Sequence, residues 1–284
     1  MTRRRGSADA WEVRLLLLPA VAWLAILFVY PIGRLFYLSL FSPAFTLQHY
    51  ARLLAGPAYL RILGTTFEIS LLVTGVTLAL GYPLAFLLAT ARRRRVAAPM
   101  LAAIMLPLLT SVLVRTYAWM VLLGRRGVVN EALAALGLLD APLALLYNRT
   151  GVTIGMAHVL LPFMILPLYS VMKGIDAELV RAAQNLGASP RQAFLRVYVP
   201  LSLPGVAAGV VLVFVAAIGF FVTPALLGGP SDTMVAMLIE SQVRELLNWE
   251  LASALAATLL AVTALLLLGF QRFMGLDRVF GGAR

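Results

Sequence analysis

Residues 251–271 read LASALAATLLAVTALLLLGFQ, an uncharged run built almost entirely from apolar side chains. A helix needs about 20 residues to cross the hydrocarbon core of a bilayer, and this run is long enough. A strand of a membrane β-barrel would instead alternate apolar and polar residues over about ten positions. The run shows no such alternation, so it predicts a transmembrane helix.

Five further runs of this kind precede it, and together they predict an all-α, polytopic membrane protein with about six transmembrane helices. The third run continues past one charge, Arg115, to about residue 123. The fifth is too long for one straight span. Pro200 and Pro204 suggest that its first residues form a cytoplasmic turn, with the membrane helix starting near Ser202. The six runs are residues 15–33, 69–90, 96–114, 151–172, 197–230 and 251–271.

The overall composition also indicates a lipid environment. Of the 284 residues, 62% are hydrophobic and only 12% are charged, whereas a soluble domain carries about 25% charged residues. We therefore expect a single transmembrane domain over residues 1–284. Its N-terminal tail over 1–13 and its C-terminal tail over 273–284 are expected in the cytoplasm.

The net charge of +11 is divided unevenly between the two sides of the predicted bundle. Six spans place both termini on one side, together with the arginine run at 92–95, Lys173 and most other basic residues. Lys and Arg that flank spans stay in the cytoplasm, so this side is predicted to be cytoplasmic. Contact with membrane lipid accounts for the charge, and no nucleic-acid partner is expected.

Residue types that support catalysis or metal binding are scarce. Cysteine is absent, and the only histidines, His49 and His158, are distant in sequence, so we expect no metal site. A phosphate-binding loop needs Gly-x-x-x-x-Gly-Lys-Ser/Thr, but the only lysine, Lys173, is followed by Gly174. We expect no catalytic residues, no cofactor and no enzymatic activity. Any use of ATP would require a separate subunit.

The segment between the fourth and fifth runs, residues 174–200, differs from a simple connector. Asp176 can cap a first short helix, and Gly187 stands where a left-handed residue would end it. Ser189, with Gln192 three residues later, forms a capping box for a second helix. Two short helices around a glycine would present an apolar stripe that fits a groove on another protein. The stripe consists of Leu179, Ala182, Ala183 and Leu186.

The spacing within this segment resembles the "EAA" loop of ABC importer permeases. That pattern is Glu-Ala-Ala, three residues, Gly, nine residues, and then Ile-x-Leu-Pro. The chain keeps the two alanines, the glycine, the apolar pair and the proline at the family spacing. These residues are Ala182, Ala183, Gly187, Val197, Val199 and Pro200.

The chain departs from the pattern at Arg181, which replaces the family glutamate. Glu178, one turn earlier, can supply the acid instead. The resemblance implies that this segment docks on the ATPase subunits and moves with them. The coupling residues that it implies are Glu178, Arg181, Ala182, Ala183, Leu186, Gly187 and Pro200.

Two further stretches, LVRTYAW at 113–119 and FVTPALLGGP at 221–230, resemble the branch that includes spermidine/putrescine permeases. This implies a type I permease subunit of an ATP-driven importer in the bacterial inner membrane. Its partners would be an ATPase subunit dimer, a second permease subunit that is normally a different chain, and a periplasmic substrate-binding protein. A polyamine is the implied substrate, and another small solute, such as an amino acid or other organic ion, is the alternative.

A stand-alone secondary transporter is a further alternative, and it would need an ion relay inside the membrane. Only Glu68, Arg115 and His158 are available for one.

Charged residues within the predicted spans are the candidates for the substrate pathway, because a charge in the membrane is costly and usually faces a cavity or a partner. Arg115 lies in the third span and Glu68 at a similar depth in the second. We predict that they pair across adjacent helices, or line a cavity with Tyr117 and Trp119. The alternative is that Arg115 reaches the headgroups and Glu68 is interfacial. An aromatic and acidic lining would suit a polyamine.

Overall fold

The computed structural model describes residues 17–41, 44–91 and 93–274, and these residues are almost entirely helical. The predicted tail over 1–13 and most of the tail over 273–284 lie outside the described residues, as does Arg92. The helices are α1 (Leu17–Leu40), α2 (Gln48–Ala55), α3 (Pro57–Thr90), α4 (Arg94–Met105), α5 (Val112–Leu123), α6 (Val128–Ala135), α7 (Arg149–Lys173), α8 (Ala177–Asn185), α9 (Pro190–Ile218), α10 (Val222–Leu227), α11 (Val235–Arg244) and α12 (Trp249–Met274).

Within the described ranges, five helices are long and apolar enough to cross a membrane, namely α1, α3, α7, α9 and α12. A bent pair, Arg95–Leu109 with Val112–Ala135, passes the same test when its two halves are taken together. The predicted all-α fold with about six spans is confirmed. The sequence estimate was too short for α1, which continues to Leu40, and for α3, which begins at Pro57.

The third span is not the continuous helix that the sequence analysis expected. After α4 the chain forms a 3-10 turn over Leu106–Leu109, and its direction then changes by 103°. Thr110 and Ser111 adopt extended backbone angles between the two halves. Pro107 lies in the 3-10 turn, and its ring cannot continue a regular α-helical hydrogen-bond ladder. The expectation of one helix over residues 96–123 was therefore wrong.

The fifth span is more regular than the sequence analysis expected, because the predicted turn before Ser202 does not occur. The helix runs without interruption from Pro190 to Ile218 and includes a π-helical segment at Phe194–Tyr198. A proline clashes with the carbonyl four residues earlier, which for Pro200 is that of Arg196 inside the wider π segment. The altered hydrogen bonding of that segment lets the helix continue past the proline.

The same arrangement occurs in α1. A π-helical segment at Ala25–Val29 comes directly before Tyr30 and Pro31. The carbonyl four residues before Pro31 belongs to Leu27, which again lies within the π segment. A π turn followed by proline is thus used twice to keep a spanning helix continuous.

The described residues fall into two compact units, and the larger contains Pro57–Leu238 with the chain from Ala261 onward. In this unit α3, α7 and α9 pack against one another in all three pairings. Side chains from all three helices, including Ile69, Met164 and Val213, are completely buried in one hydrophobic core. This core fixes the relative positions of α3, α7 and α9.

Two glycines of α9 allow close contact with α7. A Cβ atom on Gly209 would lie 2.7 Å from the Sδ atom of Met164, and one on Gly205 would lie 3.1 Å from the Cα atom of Leu168. Small residues, and glycine most of all, permit helices in a membrane protein to approach closely. A separate 2.9 Å hydrogen bond between the Tyr82 and Ser202 hydroxyls joins α3 to α9.

The smaller unit contains the described residues up to Gly56 together with Ile239–Leu260. Tyr50 of α2 donates a 2.8 Å hydrogen bond to the Ser39 hydroxyl, which in turn donates to the Phe36 carbonyl. The side chain of Asn248 accepts a hydrogen bond of 3.1 Å from the Leu251 amide and so caps the start of α12.

Candidate functional site

The segment that follows α7 folds as its residue pattern predicts. The Asp176 carboxylate accepts a 2.8 Å hydrogen bond from the Glu178 amide and caps α8. Gly187 has a φ of +94°, in the left-handed region that glycine adopts at little cost. The amides of Gly187 and Ala188 return to the carbonyls of Gln184 and Ala183 at 2.9 and 3.0 Å. These two bonds end the helix in a Schellman motif.

The second cap is also confirmed. The Ser189 hydroxyl accepts a 3.3 Å hydrogen bond from the Gln192 amide, while the Gln192 side chain accepts one of 2.9 Å from the Ser189 amide. Pro190 is the first residue of α9, where its missing N–H causes no loss. Both ends of the loop are therefore closed by its own hydrogen bonds, which favours a rigid segment.

The apolar stripe of this segment is left uncovered by the described chain. Leu186 is 90% exposed and Leu179 is 50% exposed, while Ala182 and Gly187 are exposed and Ala183 is partly exposed. Such exposed apolar surface is characteristic of a protein interface.

The position that departs from the family pattern forms an ion pair within α8. Arg181 and Glu178 lie 3.8 Å apart on consecutive turns, with both side chains mostly exposed. An exposed pair of this kind contributes little to stability. Glu178 is therefore held near Arg181 and still faces solvent. Pro200, also predicted to belong to the coupling segment, lies within α9 on its exposed side.

The predicted pairing of Glu68 with Arg115 is wrong. Glu68 instead accepts a 2.7 Å hydrogen bond from Arg149, the first residue of α7. The Nε atom of Arg149 lies 3.5 Å from Oδ1 of Asp232, whose side chain is only 4% exposed. One guanidinium therefore lies between two carboxylates, which leaves this group with one excess negative charge.

Local hydrogen bonds hold the three charged residues together. The Asn148 side chain caps α7 through the Gly151 amide at 3.0 Å, which fixes the position of Arg149. The other oxygen of Asp232 accepts from the Gly229 amide at 3.2 Å. The Thr66 hydroxyl of α3 accepts a hydrogen bond of 2.9 Å from the Val235 amide. The pairing of Arg149 with Glu68 and Asp232 was missed because pairing over such sequence separations leaves no periodic signal.

Arg115 and Trp119 lie one turn apart on the same face of α5, and Trp119 contacts His158 of α7. Trp119 donates a 3.2 Å hydrogen bond to Nδ1 of His158, and the two rings meet edge to face at 5.5 Å. If the imidazole is neutral, this bond leaves its hydrogen on Nε2. His158 also lines an otherwise apolar cavity of about 290 Å³ between α3, α4 and α7.

The guanidinium of Arg115 lies in the first turn of α5, and its Nε and Nη1 atoms are buried without a hydrogen-bond partner among the described residues. Tyr117 is 55% exposed, and Thr116 bonds across to Thr223 of α10 at 3.1 Å. The structure thus pairs Trp119 with His158, whereas Glu68 belongs to a cluster with Arg149 and Asp232.

No group of three or more His, Asp or Glu side chains that could hold a metal ion occurs in the described ranges. Two features stand out among the described residues. One is the capped helix α8, which has an exposed apolar stripe. The other is the charged cluster of Glu68, Arg149 and Asp232.

A family comparison covers most of this arrangement. Residues 81–275 match the family described as "Binding-protein-dependent transport system inner membrane component". The match includes the capped loop, α9 and the residues around Asp232. It identifies a transport family rather than an enzyme family.

Several characterised proteins are similar over nearly the whole chain. The spermidine/putrescine transport system permease protein PotB of Escherichia coli (strain K12) is 36% identical over 234 residues, covering 82% of this chain and 84% of that protein. PotB of Haemophilus influenzae is 35% identical over 264 residues, covering 93% and 90%. The inner membrane ABC transporter permease protein YdcU of E. coli is 33% identical over 247 residues, covering 83% and 78%.

Two solved structures share the fold. A bacterial ABC transporter involved in the import of the acidic polysaccharide alginate superposes with a TM-score of 0.72 at 19% identity, over 93% of this chain and 95% of the other. A bacterial alginate ABC transporter in complex with an alginate pentasaccharide-bound periplasmic protein gives 0.74 at 19% identity, over 96% of each chain. With the six predicted spans, the capped loop and these matches, the chain belongs to the binding-protein-dependent inner membrane components and is a permease subunit of an ABC importer.

Proposed function

We propose that this permease carries polyamines such as spermidine and putrescine. The observation that carries the proposal is the 35–36% identity, over more than four fifths of the chain, to permeases of spermidine/putrescine transport systems. The cluster around Arg149 is compatible with a cationic substrate because its two carboxylates exceed its one guanidinium. The aromatic residues Tyr117 and Trp119 would add cation–π contacts along the pathway.

Arg115 works against a cation unless another group neutralises it. We propose that the translocation pathway is shared with a second permease subunit, a different chain, and that a carboxylate of that chain neutralises Arg115. Glu68, Arg115, Tyr117 and Trp119 remain our candidates for the pathway lining.

We propose that an ATPase dimer binds α8 through the apolar stripe. Leu186 is 90% exposed and so is available for the contact. Because caps close the loop at both ends, it can move with the ATPase as a rigid unit without unfolding. The basic residues around this loop support a cytoplasmic location for it and for both termini. A periplasmic binding protein would then deliver substrate at the opposite face, as the family description implies.

Reconstitution of the permease tests this function. The chain is placed in proteoliposomes with its cognate ATPase, second permease and binding protein, and uptake of radiolabelled spermidine and putrescine is measured. We expect uptake only with ATP inside the vesicles and with all four components present. Uptake by the chain alone, driven by an ion gradient, would establish the secondary-transporter alternative.

Competition by unlabelled solutes for polyamine uptake into the same vesicles identifies the substrate. Unlabelled polyamines should abolish uptake, whereas amino acids and molybdate should leave it unchanged at equal concentration. Molybdate is included because a molybdenum transport system permease protein, ModB of Mycobacterium bovis, is 30% identical over 69% of this chain. ATP-dependent uptake of an amino acid with no polyamine uptake would replace the proposed substrate and leave the importer mechanism intact.

A further inference from the structure

A cleft of about 560 Å³ opens where the ends of α3 and α7 meet α8 and the first turns of α9. It lies beside the apolar stripe of α8 but contains none of the four residues of that stripe, although Arg181 of the coupling segment lines it. All of its lining residues belong to the larger unit, and they combine an aromatic wall with two basic side chains, Lys173 and Arg181.

The aromatic wall is made of three rings that contact one another. Phe86 of α3 meets Phe194 and Tyr198 of α9 edge to face at 5.4 and 5.1 Å. The rings of Phe194 and Tyr198 stack at 5.7 Å. Packed rings of this kind give a firm apolar surface, which suits the glycerol and acyl part of an amphiphile better than it suits a free ion.

Tyr198, whose side chain lines the cleft, also carries an unsatisfied polar group. The residue is only 8% exposed, and its hydroxyl is buried with no hydrogen-bond partner among the described residues. A buried hydroxyl without a partner lowers stability. An acceptor oxygen entering the cleft would satisfy it after a small movement of the ring.

The charges at the cleft are of one sign. No acidic residue of the described chain lines it. Glu178 pairs with Arg181 at 3.8 Å, but its side chain is 79% exposed and lies outside the lining. The ammonium group of Lys173 stands 5.4 Å from the ring centre of Tyr169, at the last residue of α7. An anionic ligand would therefore meet two cations that have little other compensation.

The position of the cleft along the spans indicates which class of anion it can bind. The spans α3 and α7 end at Thr90 and Lys173, so the cleft opens at the level of the lipid headgroups. Basic pockets between spans at this level bind anionic headgroups. We propose that the cleft binds an anionic phospholipid, with Lys173 and Arg181 contacting its phosphate and the Tyr198 hydroxyl donating to one of its oxygens.

Native mass spectrometry of the full-length chain tests the site. The protein is titrated with phosphatidylglycerol or phosphatidylcholine of identical acyl chains, and the bound fraction is counted for the wild type and for a Lys173→Gln/Arg181→Gln variant. We expect preference for phosphatidylglycerol in the wild type. The double variant should bind it about twenty-fivefold more weakly, because each Lys or Arg near an anionic surface contributes about fivefold.

A matched control removes two other basic residues of the same region. Arg191→Gln/Arg196→Gln makes the same change of net charge, and both residues are exposed outside the cleft. Its affinity for phosphatidylglycerol should equal that of the wild type. Equal losses in the two double variants would show a general charge effect and overturn the site.

Two further measurements separate the possible ligands. Tyr198→Phe keeps the aromatic wall and should weaken phosphatidylglycerol binding about twofold or more; unchanged binding would remove the hydroxyl from the site. Glycerol phosphate, which carries the phosphate without acyl chains, should not displace the lipid. Displacement by glycerol phosphate at the concentration at which the lipid binds would identify a soluble phosphate ester as the ligand and overturn the lipid proposal.

Discussion

The core of α3, α7 and α9 and the capped segment around α8 differ in where their apolar side chains go. In the core, Ile69, Met164 and Val213 are completely buried within the chain. In the segment, Leu186 is 90% exposed although its helix is closed by hydrogen bonds at both ends. The buried side chains of the first region find all their packing partners within the chain. The backbone of the second region has its hydrogen bonds, but its apolar side chains are not covered by the described chain. The difference separates residues needed for folding from residues available for coupling.

Gly209→Leu should have the largest effect, because it fills the contact between α9 and α7. A Cβ atom there would already lie 3.1 Å from the Met164 carbonyl oxygen, and overpacking costs about 3 kcal/mol. We expect loss of most folded protein and a clear drop of the melting temperature in detergent. Gly75→Leu, at a glycine of α3 with open space around it, is the control. Equal melting temperatures for the two variants would contradict the close approach.

Asp232→Asn should have the second largest effect on stability. Its carboxylate is 4% exposed and holds Arg149 and the Gly229 amide, so its loss should cost about 2 kcal/mol. Glu68→Gln changes the other partner of the same arginine, but that side chain is 63% exposed, and we expect less than about 0.5 kcal/mol. Thermal unfolding of the two variants compares them. A larger loss of unfolding free energy for Glu68→Gln than for Asp232→Asn would contradict the idea that the more buried carboxylate contributes more to stability.

Leu186→Asp probes the coupling region instead of the fold. The melting temperature of the permease should not change, because the side chain is 90% exposed. Affinity for the ATPase should fall about tenfold or more, since a charge would be placed in an apolar contact. Binding of labelled ATPase to the immobilised permease measures it. Gln184→Asp, on another face of α8, is the control, and full ATPase affinity of Leu186→Asp would contradict the docking surface.

Gly187→Ala should have the smallest effect, confined to the loop. A Cβ atom at this position meets nothing within 4 Å, so only the positive φ opposes alanine, at a cost of about 1 kcal/mol. Hydrogen exchange should accelerate around residues 185–193 while the global melting temperature is kept. Gly64→Ala, in the open face of α3, should not accelerate exchange in the loop. A drop in global stability for Gly187→Ala would show that the loop is part of the folding core.

Features encoded by neighbouring residues were predictable from the sequence. Long apolar runs identified the spans, and the spacing of Asp176, Gly187, Ser189 and Gln192 gave both caps, because a cap is satisfied within a few residues. The assignment of substrate pathway and ATPase contact to particular residues stays a prediction, as does the single-domain organisation.

Features that depend on distant partners were not predictable in this way. Glu68 was matched with the wrong arginine because the choice between Arg115 and Arg149 is made by helix packing, not by spacing. One proline, Pro200, also misled, because it was expected to belong to a turn before the span. Pro200 follows a π segment and does not interrupt α9, whereas Pro107 precedes a true break, and a proline alone does not show which hydrogen-bond pattern comes before it.

The break at Thr110–Ser111 has a consequence for hydration. A helix that ends leaves its last carbonyl groups without intrahelical donors, and the helix that follows leaves its first amides without acceptors. Hydrocarbon cannot satisfy either set, so such a break must face protein or a pocket of water. The chain contains no cysteine, and a single thiol introduced as Thr110→Cys would therefore report, through its reactivity toward a water-soluble maleimide, whether solvent reaches this depth.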